Sequence, residues 1–294
     1  KPIKLVVVFP PGGPTDIATR ILAKKLEEKN GWKFVVENRP GASGVVAGNF
    51  VVKSASDGHT LLVTPGGFIT SSPHFRLKMP YDVLNDLVPV VQISSYQGLL
   101  ASNLAFQPKT IGELITFAKT NSVAPTVGTS GIGSGGHLAI EQFNNQTGIK
   151  MLYVPYQGGA PLLTALLGGQ IDLAVGVIGP FLPHIESGKI RAIAVIGKKR
   201  NPLLPEIPAI GESVPDYDVI FWEGLFAPKG TPPATVRKIN SEVSSLFNDP
   251  EMVKLWAKSG MEFPRVTPEE FKAQVEKEHK HYGELIKKIG IKPE

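Results

Sequence analysis

Lys4-Leu5-Val6-Val7-Val8-Phe9, followed by Pro10-Pro11-Gly12-Gly13-Pro14-Thr15-Asp16, is the stretch on which the fold turns. The apolar run has the pattern of a parallel strand buried on both faces and predicts a strand over 4–9. The turn leads into a helix predicted over 15–29, with Ile17, Ile21, Leu22 and Leu26 on one face. Thr15 or Asp16 is the expected N-cap and Gly31 the C-terminal stop. A strand, a glycine-rich turn and a helix start aim backbone N–H groups and the positive end of a helix dipole at one point, which makes an anion site. The device recurs at Thr126-Val127-Gly128-Thr129, Ser130-Gly131-Ile132-Gly133-Ser134-Gly135-Gly136 and a helix from about His137. Two such devices predict two half-sites facing each other across a cleft.

Outward from these stretches, strand and helix alternate. Strands are expected at 34–37, 60–64, 88–93, 99–101, 151–154, 171–175, 190–196 and 221–227. Helices are expected at 44–54, 110–120, 137–147, 159–168, 235–247, 251–259 and 268–288, with 197–218 irregular. This is the alternation of an α/β fold with mainly parallel sheets. The helical tail has no sheet of its own, so the expected lobes are 1–101 with 222–294, and an inserted 102–221. The two crossings would form a hinge.

A chain of 294 residues with 42% apolar and 19% charged side chains can bury two cores and is not disordered. The net charge of +5 is spread along the sequence without a basic run or basic–aromatic interleaving, which argues against nucleic acid as partner. Having no cysteine excludes disulfides, thiol catalysis and zinc–thiolate sites. No apolar stretch approaches the roughly 18 residues of a membrane span. The chain enters its first strand at once, a start that removal of an export signal would produce. Of six histidines only His279 and His281 are close, and an i, i+2 pair points to different helix faces, so no metal is expected.

Gly131-Ile132-Gly133-Ser134-Gly135-Gly136 satisfies the dinucleotide fingerprint, but the next strand, Met151 to Tyr156, carries no acid for a ribose. A carboxylate suits the same N–H cluster better. Neither Ser130 nor Ser134 has glycine at both −2 and +2, as a nucleophile elbow needs. Asp16 and Arg20 form an i, i+4 pair read as structural, as is Arg39. Tyr156-Gln157-Gly158-Gly159 is a third donor-rich turn, and Gly176 to Phe181 an apolar loop. In open α/β sheets ligands bind at the carboxyl ends of strands. The implied cleft has amides and hydroxyls for an anion, and apolar walls from Phe9, Phe68, Val177, Ile178 and Phe181.

The motifs FPPGGPTDIATR (Phe9–Arg20), VENRPGASG (Val36–Gly44), DGHTLLV (Asp57–Val63), SGIGSGGHLAIE (Ser130–Glu141), VPYQGGAP (Val154–Pro161), LLGGQIDL (Leu166–Leu173), GKIRAIAV (Gly188–Val195) and WEGLFAPKGTP (Trp222–Pro232) follow one another in that order. Together they resemble the Bug-type extracytoplasmic solute receptors of tripartite tricarboxylate transporters, over nearly the whole chain. The resemblance implies a two-lobed type II periplasmic binding-protein fold, periplasmic residence after export, and no cofactor or enzymatic activity. It also implies a monomer that delivers a small organic acid to a two-subunit membrane permease. It carries ligand contact onto Gly12, Gly13, Pro14, Thr15 and Asp16, onto Gly66, Gly67 and Phe68, and onto Ser130, Gly133, Ser134, Gly135, His137 and Tyr156. Val177 and Ile178 rest on position alone. Ala165 and Val175-Gly176 stand where the family often has acidic residues or Asn, and His59 where it has Tyr. A less polar wall in the second lobe then favours dicarboxylates or aromatic acids over amino acids. An enzyme using the same loops would need Asp16 or His137 as its base, and a sensory receptor would differ only in its partner.

Overall fold

The computed structural model describes residues 1–293. The chain forms β1 (Ile3–Val7), α1 (Pro14–Asn30), β2 (Phe34–Asn38), α2 (Val45–Val52), β3 (Thr60–Pro65), a short α3 (Gly67–Thr70) and β4 (Leu87–Tyr96). Next come β5 (Gly98–Ser102), α4 (Ile111–Thr120), β6 (Thr126–Thr129), α5 (Gly135–Thr147), β7 (Leu152–Pro155), α6 (Gly159–Leu167), β8 (Leu173–Val177), α7 (Ile178–Glu186) and β9 (Arg191–Val195). The chain closes with β10 (Phe221–Pro228), α8 (Pro233–Ser245), α9 (Pro250–Lys258), β11 (Met261–Glu262) and α10 (Pro268–Lys288). Two compact units result: Lys1–Ser95, Trp222–Trp256 and the chain from Glu262 on, and Tyr96–Phe221 with Ala257–Met261. The first boundary falls before β5, not at residue 101, because β5 pairs with β8 and β9.

In the first unit the sheet order is β11-β4-β10-β3-β1-β2. β1 runs parallel to β2 and β3, whereas β10 is antiparallel to β3. In the second the order is β7-β6-β8-β5-β9, with β6 parallel to β7 and β8, and β5 antiparallel to β8 and β9. Both sheets are therefore mixed, which corrects the expectation of mainly parallel ones. Parallel neighbours need a crossover connection, which α1 and α2 supply for β1, β2 and β3, and α5 and α6 for β6, β7 and β8.

Local chemistry explains most element bounds. Gly31 closes α1 at φ 72°, as expected of a left-handed C-cap. The start of α1 differs from expectation: Gly13 is the N-cap and Pro14, with its fixed φ, the first helical residue, so neither Thr15 nor Asp16 caps. Its inward face is Thr15, Ala18, Thr19, Leu22 and Leu26, while Ile17 is half exposed. Small and hydroxyl-bearing residues share this buried face, and Thr19 satisfies its hydroxyl on the Thr15 carbonyl at 2.6 Å. β1 stops at Val7, leaving Val8 and Phe9 in the turn. α5 begins at Gly135, two residues before the expected start.

The Gly176–Phe181 loop expected from sequence does not exist as such. Val177 ends β8 and Ile178 opens α7. Pro180 falls in the first turn of that helix, where no N–H is needed, and only Pro183 interrupts its ladder. The core of the second unit centres on Phe143, with no exposed surface, set edge-on to Tyr217 at 6.3 Å. The Tyr217 hydroxyl donates to the Ala139 carbonyl at 3.0 Å. Phe143→Ala should destabilise the second unit by about 3–5 kcal/mol. Urea unfolding followed by circular dichroism checks this, the expected result being a transition at lower urea than in the wild type.

Candidate functional site

In the first unit the turn after β1 is held from within. Gly12 adopts φ 84°, a left-handed conformation that a side chain would strain, and donates its N–H to Asp16 Oδ2 at 2.9 Å. Asp16 also accepts from Arg20 Nε at 3.0 and 3.1 Å and from Asn38 Nδ2 at 2.8 Å. Asn38 Nδ2 lies 2.9 Å from the Phe9 carbonyl, and Arg20 donates to Asn38 Oδ1 at 3.0 Å. Burial alone would push the Asp16 carboxyl up, but the hydrogen bonds from Arg20, Gly12 and Asn38, with the Arg20 charge, hold it below the ordinary carboxylate range. With its lone pairs filled, Asp16 supports the loop and has none to spare for a ligand, which revises its expected contact role. Arg39, read as structural, pairs with Glu37 at 2.5 Å and stacks over the Phe50 ring at 3.6 Å.

What the first turn of α1 does offer is backbone. The N–H groups of Thr15 and Asp16 have no intrahelical acceptor, as at any helix start, and Pro14 has no N–H. Beside them the end of β3 runs into Gly66 and Gly67. The Gly66 N–H donates to the Trp222 carbonyl at 2.8 Å, and a Cβ on Gly66 would lie 2.2 Å from the Trp222 ring. Phe9 and Phe68 pack against each other at 5.3 Å and are both buried, so the expected apolar wall is first of all packing within this unit.

Sequence reading missed Glu223. It lies on β10 opposite Pro65 and is 1% exposed. Its Oε1 accepts from Thr15 Oγ1 at 2.5 Å, while Oε2, also buried, has no hydrogen-bond partner among the described residues. Burial pushes the Glu223 carboxyl up to about 7, against a smaller downward pull from Thr15. Glu223 thus joins two loops that the sequence had singled out separately. The signal was a lone acid inside the apolar run Phe221–Pro228.

In the second unit Gly131 and Gly133 carry the chain through φ 132° and 71° to Ser134. Ser134 is the N-cap of α5: its hydroxyl accepts from the His137 N–H at 3.2 Å and lies 3.1 Å from Thr129 Oγ1. His137 Nδ1 accepts from the Gly133 N–H at 3.0 Å, which leaves the ring proton on Nε2, 3.5 Å from Glu141. The imidazole stacks on Tyr153 at 3.8 Å, a partner the sequence did not reveal. Glycine is required at 135, where a Cβ would come within 2.8 Å of Phe221. The first-turn N–H groups of Gly135 and Gly136 are the open donors of this helix start. Ser130 is part-exposed beside them, and the Tyr156 N–H is used on the Thr129 carbonyl at 2.9 Å.

Two expectations fail here. Ile178 has no exposed surface and packs with Leu162, Ala165 and Phe181, so it belongs to the core of this unit. Phe181, a second expected wall residue, is buried in the same cluster; Val177 is only partly buried. Ala165 and Val175 are core residues too, whereas Gly176 beside them is only partly buried.

Two α/β units, each a mixed sheet flanked by helices and each carrying a glycine-rich turn at a helix start, define the class of periplasmic solute-binding proteins. The model of the tripartite tricarboxylate transporter family receptor (TctC) matches residues 18–291, and the chain belongs to that family. Among solved structures it is similar to R. palustris Rpa4515 with adipate, at 33% identity and TM-score 0.94, covering 100% of this chain and 98% of that one. It is similar to the periplasmic binding protein BugD, at 31% identity and TM-score 0.93, covering 100% and 99%. It is also similar to MatC from Rhodopseudomonas palustris with bound malate, at 29% identity and TM-score 0.91, covering 97% and 98%.

The buried Glu223 has a measurable consequence for stability. Its folded-state pKa, about 7, lies above the ordinary 4.5, so the folded chain holds a proton that the unfolded chain has released between those values. Stability from this group is full below about pH 4.5 and declines as pH rises through 7. Glu223→Gln should therefore be neutral near pH 4.5 and stabilising by about 3 kcal/mol above pH 7. Chemical denaturation of both proteins at several pH values reads this, and a difference independent of pH would refute it.

Proposed function

We propose that this chain is a periplasmic receptor for a small organic acid, a dicarboxylate or an aromatic carboxylate, which it delivers to a two-subunit membrane permease. The observation that carries this reading is the pair of helix starts, one per unit, whose open N–H groups suit carboxylate oxygens. The donors assigned to the acid are the backbone N–H groups of Gly13, Thr15 and Asp16, with Gly12 and Pro14 shaping the turn and Gly66, Gly67 and Phe68 beside it. The second unit adds Ser130 and the N–H groups of Gly135 and Gly136, with Gly133, Ser134, His137 and Tyr156 holding the turn and Val177 at its edge. The relatives carrying adipate and malate support a dicarboxylate as the solute class.

A receptor fits these residues better than an enzyme does. The two candidate bases are committed: Asp16 to four hydrogen bonds within its loop, and His137 Nδ1 to the Gly133 N–H. Each helix start contributes up to about 2 kcal/mol toward a partly buried anion, and charge-assisted hydrogen bonds add to it.

Thermal shift of stripped, refolded protein against mono-, di- and aromatic carboxylates tests the reading. A saturating ligand, at about 100 times its dissociation constant, should stabilise by about 2.7 kcal/mol. Thr15→Val in the first unit and Ser134→Ala in the second should each weaken binding about tenfold, or about 1.4 kcal/mol. Both variants should remain folded, Ser134→Ala losing a further 0.5–2 kcal/mol of stability, roughly, with its cap. Unchanged affinity in both would remove these loops from the site.

A further inference from the structure

We propose that Glu223 selects the solute as a neutral carboxylic acid, donating a hydrogen bond from Oε2 to a carboxylate oxygen of the ligand, so that the anion is taken up together with one proton. The inference rests on the organic-acid reading above and adds what that reading lacks, a side chain that sets ligand charge and pH range.

Three observations carry it. The first is position: Oε1 is bonded to Thr15 in the first turn of α1, and the residue is paired across the sheet with Pro65, next to Gly66 and Gly67. A carboxyl group is only about 2.2 Å across, so Oε2 lies within a few ångströms of the α1 helix start. The second is that Oε2 is buried without a partner, a state that is costly for a polar atom unless something else satisfies it.

The third is charge. Thr15 is a neutral donor. On α1 the nearest ionisable groups are Asp16 and Arg20, which are paired with each other. Of the strands flanking β10, β3 has no ionisable side chain and β4 only Tyr96 at its end. On α10, Glu278 accepts from the Trp222 indole at 2.8 Å and is itself pushed up by burial. Among the described residues no cation balances an ionised Glu223, so burial keeps its proton on through the acid range up to about pH 7.

A neutral acid facing an N–H-rich helix start prefers a carboxylate, since acid–carboxylate hydrogen bonds are short and strong. It offers no charge to an ammonium group, which disfavours amino acids. When the anion arrives at a pH where Glu223 has ionised, the carboxyl takes one proton from solvent and returns it on release.

Isothermal titration of the full chain with malate, adipate and aspartate from about pH 6 to about pH 9, in buffers of different ionisation enthalpy, tests this. Malate and adipate are fully charged above neutrality, so their own titration does not interfere. The expected result is a dissociation constant for the bound dicarboxylate that rises about tenfold per unit above about pH 7, with uptake approaching one proton per anion. Glu223→Gln, which keeps an acceptor for Thr15 and a donor at the other position, should bind with affinity independent of pH and within about threefold of the wild type at pH 6. Wild-type affinity that is flat with pH, a pH dependence retained in Glu223→Gln, or a preference for aspartate would overturn the role of Glu223 and leave the receptor reading standing. Wild-type protein that binds no carboxylate at any pH would overturn both.

Discussion

A helix start can hold an anion only if the loop before it is rigid and its side chains are satisfied from within, so that the open N–H groups are the only unmet donors. Asp16 enforces this in the first unit. Its carboxylate collects the Gly12 N–H, the Arg20 guanidinium and the Asn38 amide, and so ties β1, α1 and β2 into one turn. A carboxylate beside an anion site looks misplaced until its neutralisation by Arg20 is counted. In the second unit Ser134 and His137 do the same work with uncharged groups: a hydroxyl caps α5 and an imidazole nitrogen fixes the Gly133 N–H. The two turns are thus equivalent in what they present and different in how they are held.

Glycine serves these turns in two ways. Gly12, Gly131 and Gly133 supply left-handed or otherwise strained backbone. Gly66 and Gly135 instead make room for aromatic rings, Trp222 and Phe221, which are consecutive residues at the start of β10. Both rings therefore press on the turns at these glycines, each within its own unit. Glu223 follows them directly, and its burial works against stability above neutral pH. Such groups are commonest at functional positions, where the environment that perturbs them is part of the site.

Much of this was legible in residues close together in sequence. The strand-turn-helix devices, the cap at Gly31 and the long helix over 268–288 follow from spacing and from the conformational freedom of glycine and proline. Errors arose where a local cue had two readings. Ile17 lay on the predicted apolar stripe but faces outward, because threonines and alanines take the buried face. The prolines at 180 and 183 hid α7, and with it the fact that Ile178 is core.

By itself, then, the sequence determined the alternation of strands and helices, the two glycine-rich turns at helix starts and the family, since each depends on patterns within a few tens of residues. The tertiary structure decided the rest. β10 joins the first sheet across more than 150 residues and runs antiparallel, placing Glu223 beside Thr15. Whether a glutamate is a solvated anion or a buried acid depends on what surrounds it, and the groups beside Glu223 come from α1 and β3, which no local pattern brings to β10. The same holds for Tyr153 under His137 and for the burial of Ala165 and Val175. Desolvation and hydrogen-bond satisfaction are properties of the assembled neighbourhood, and they decide which of the residues at a loop can meet a ligand.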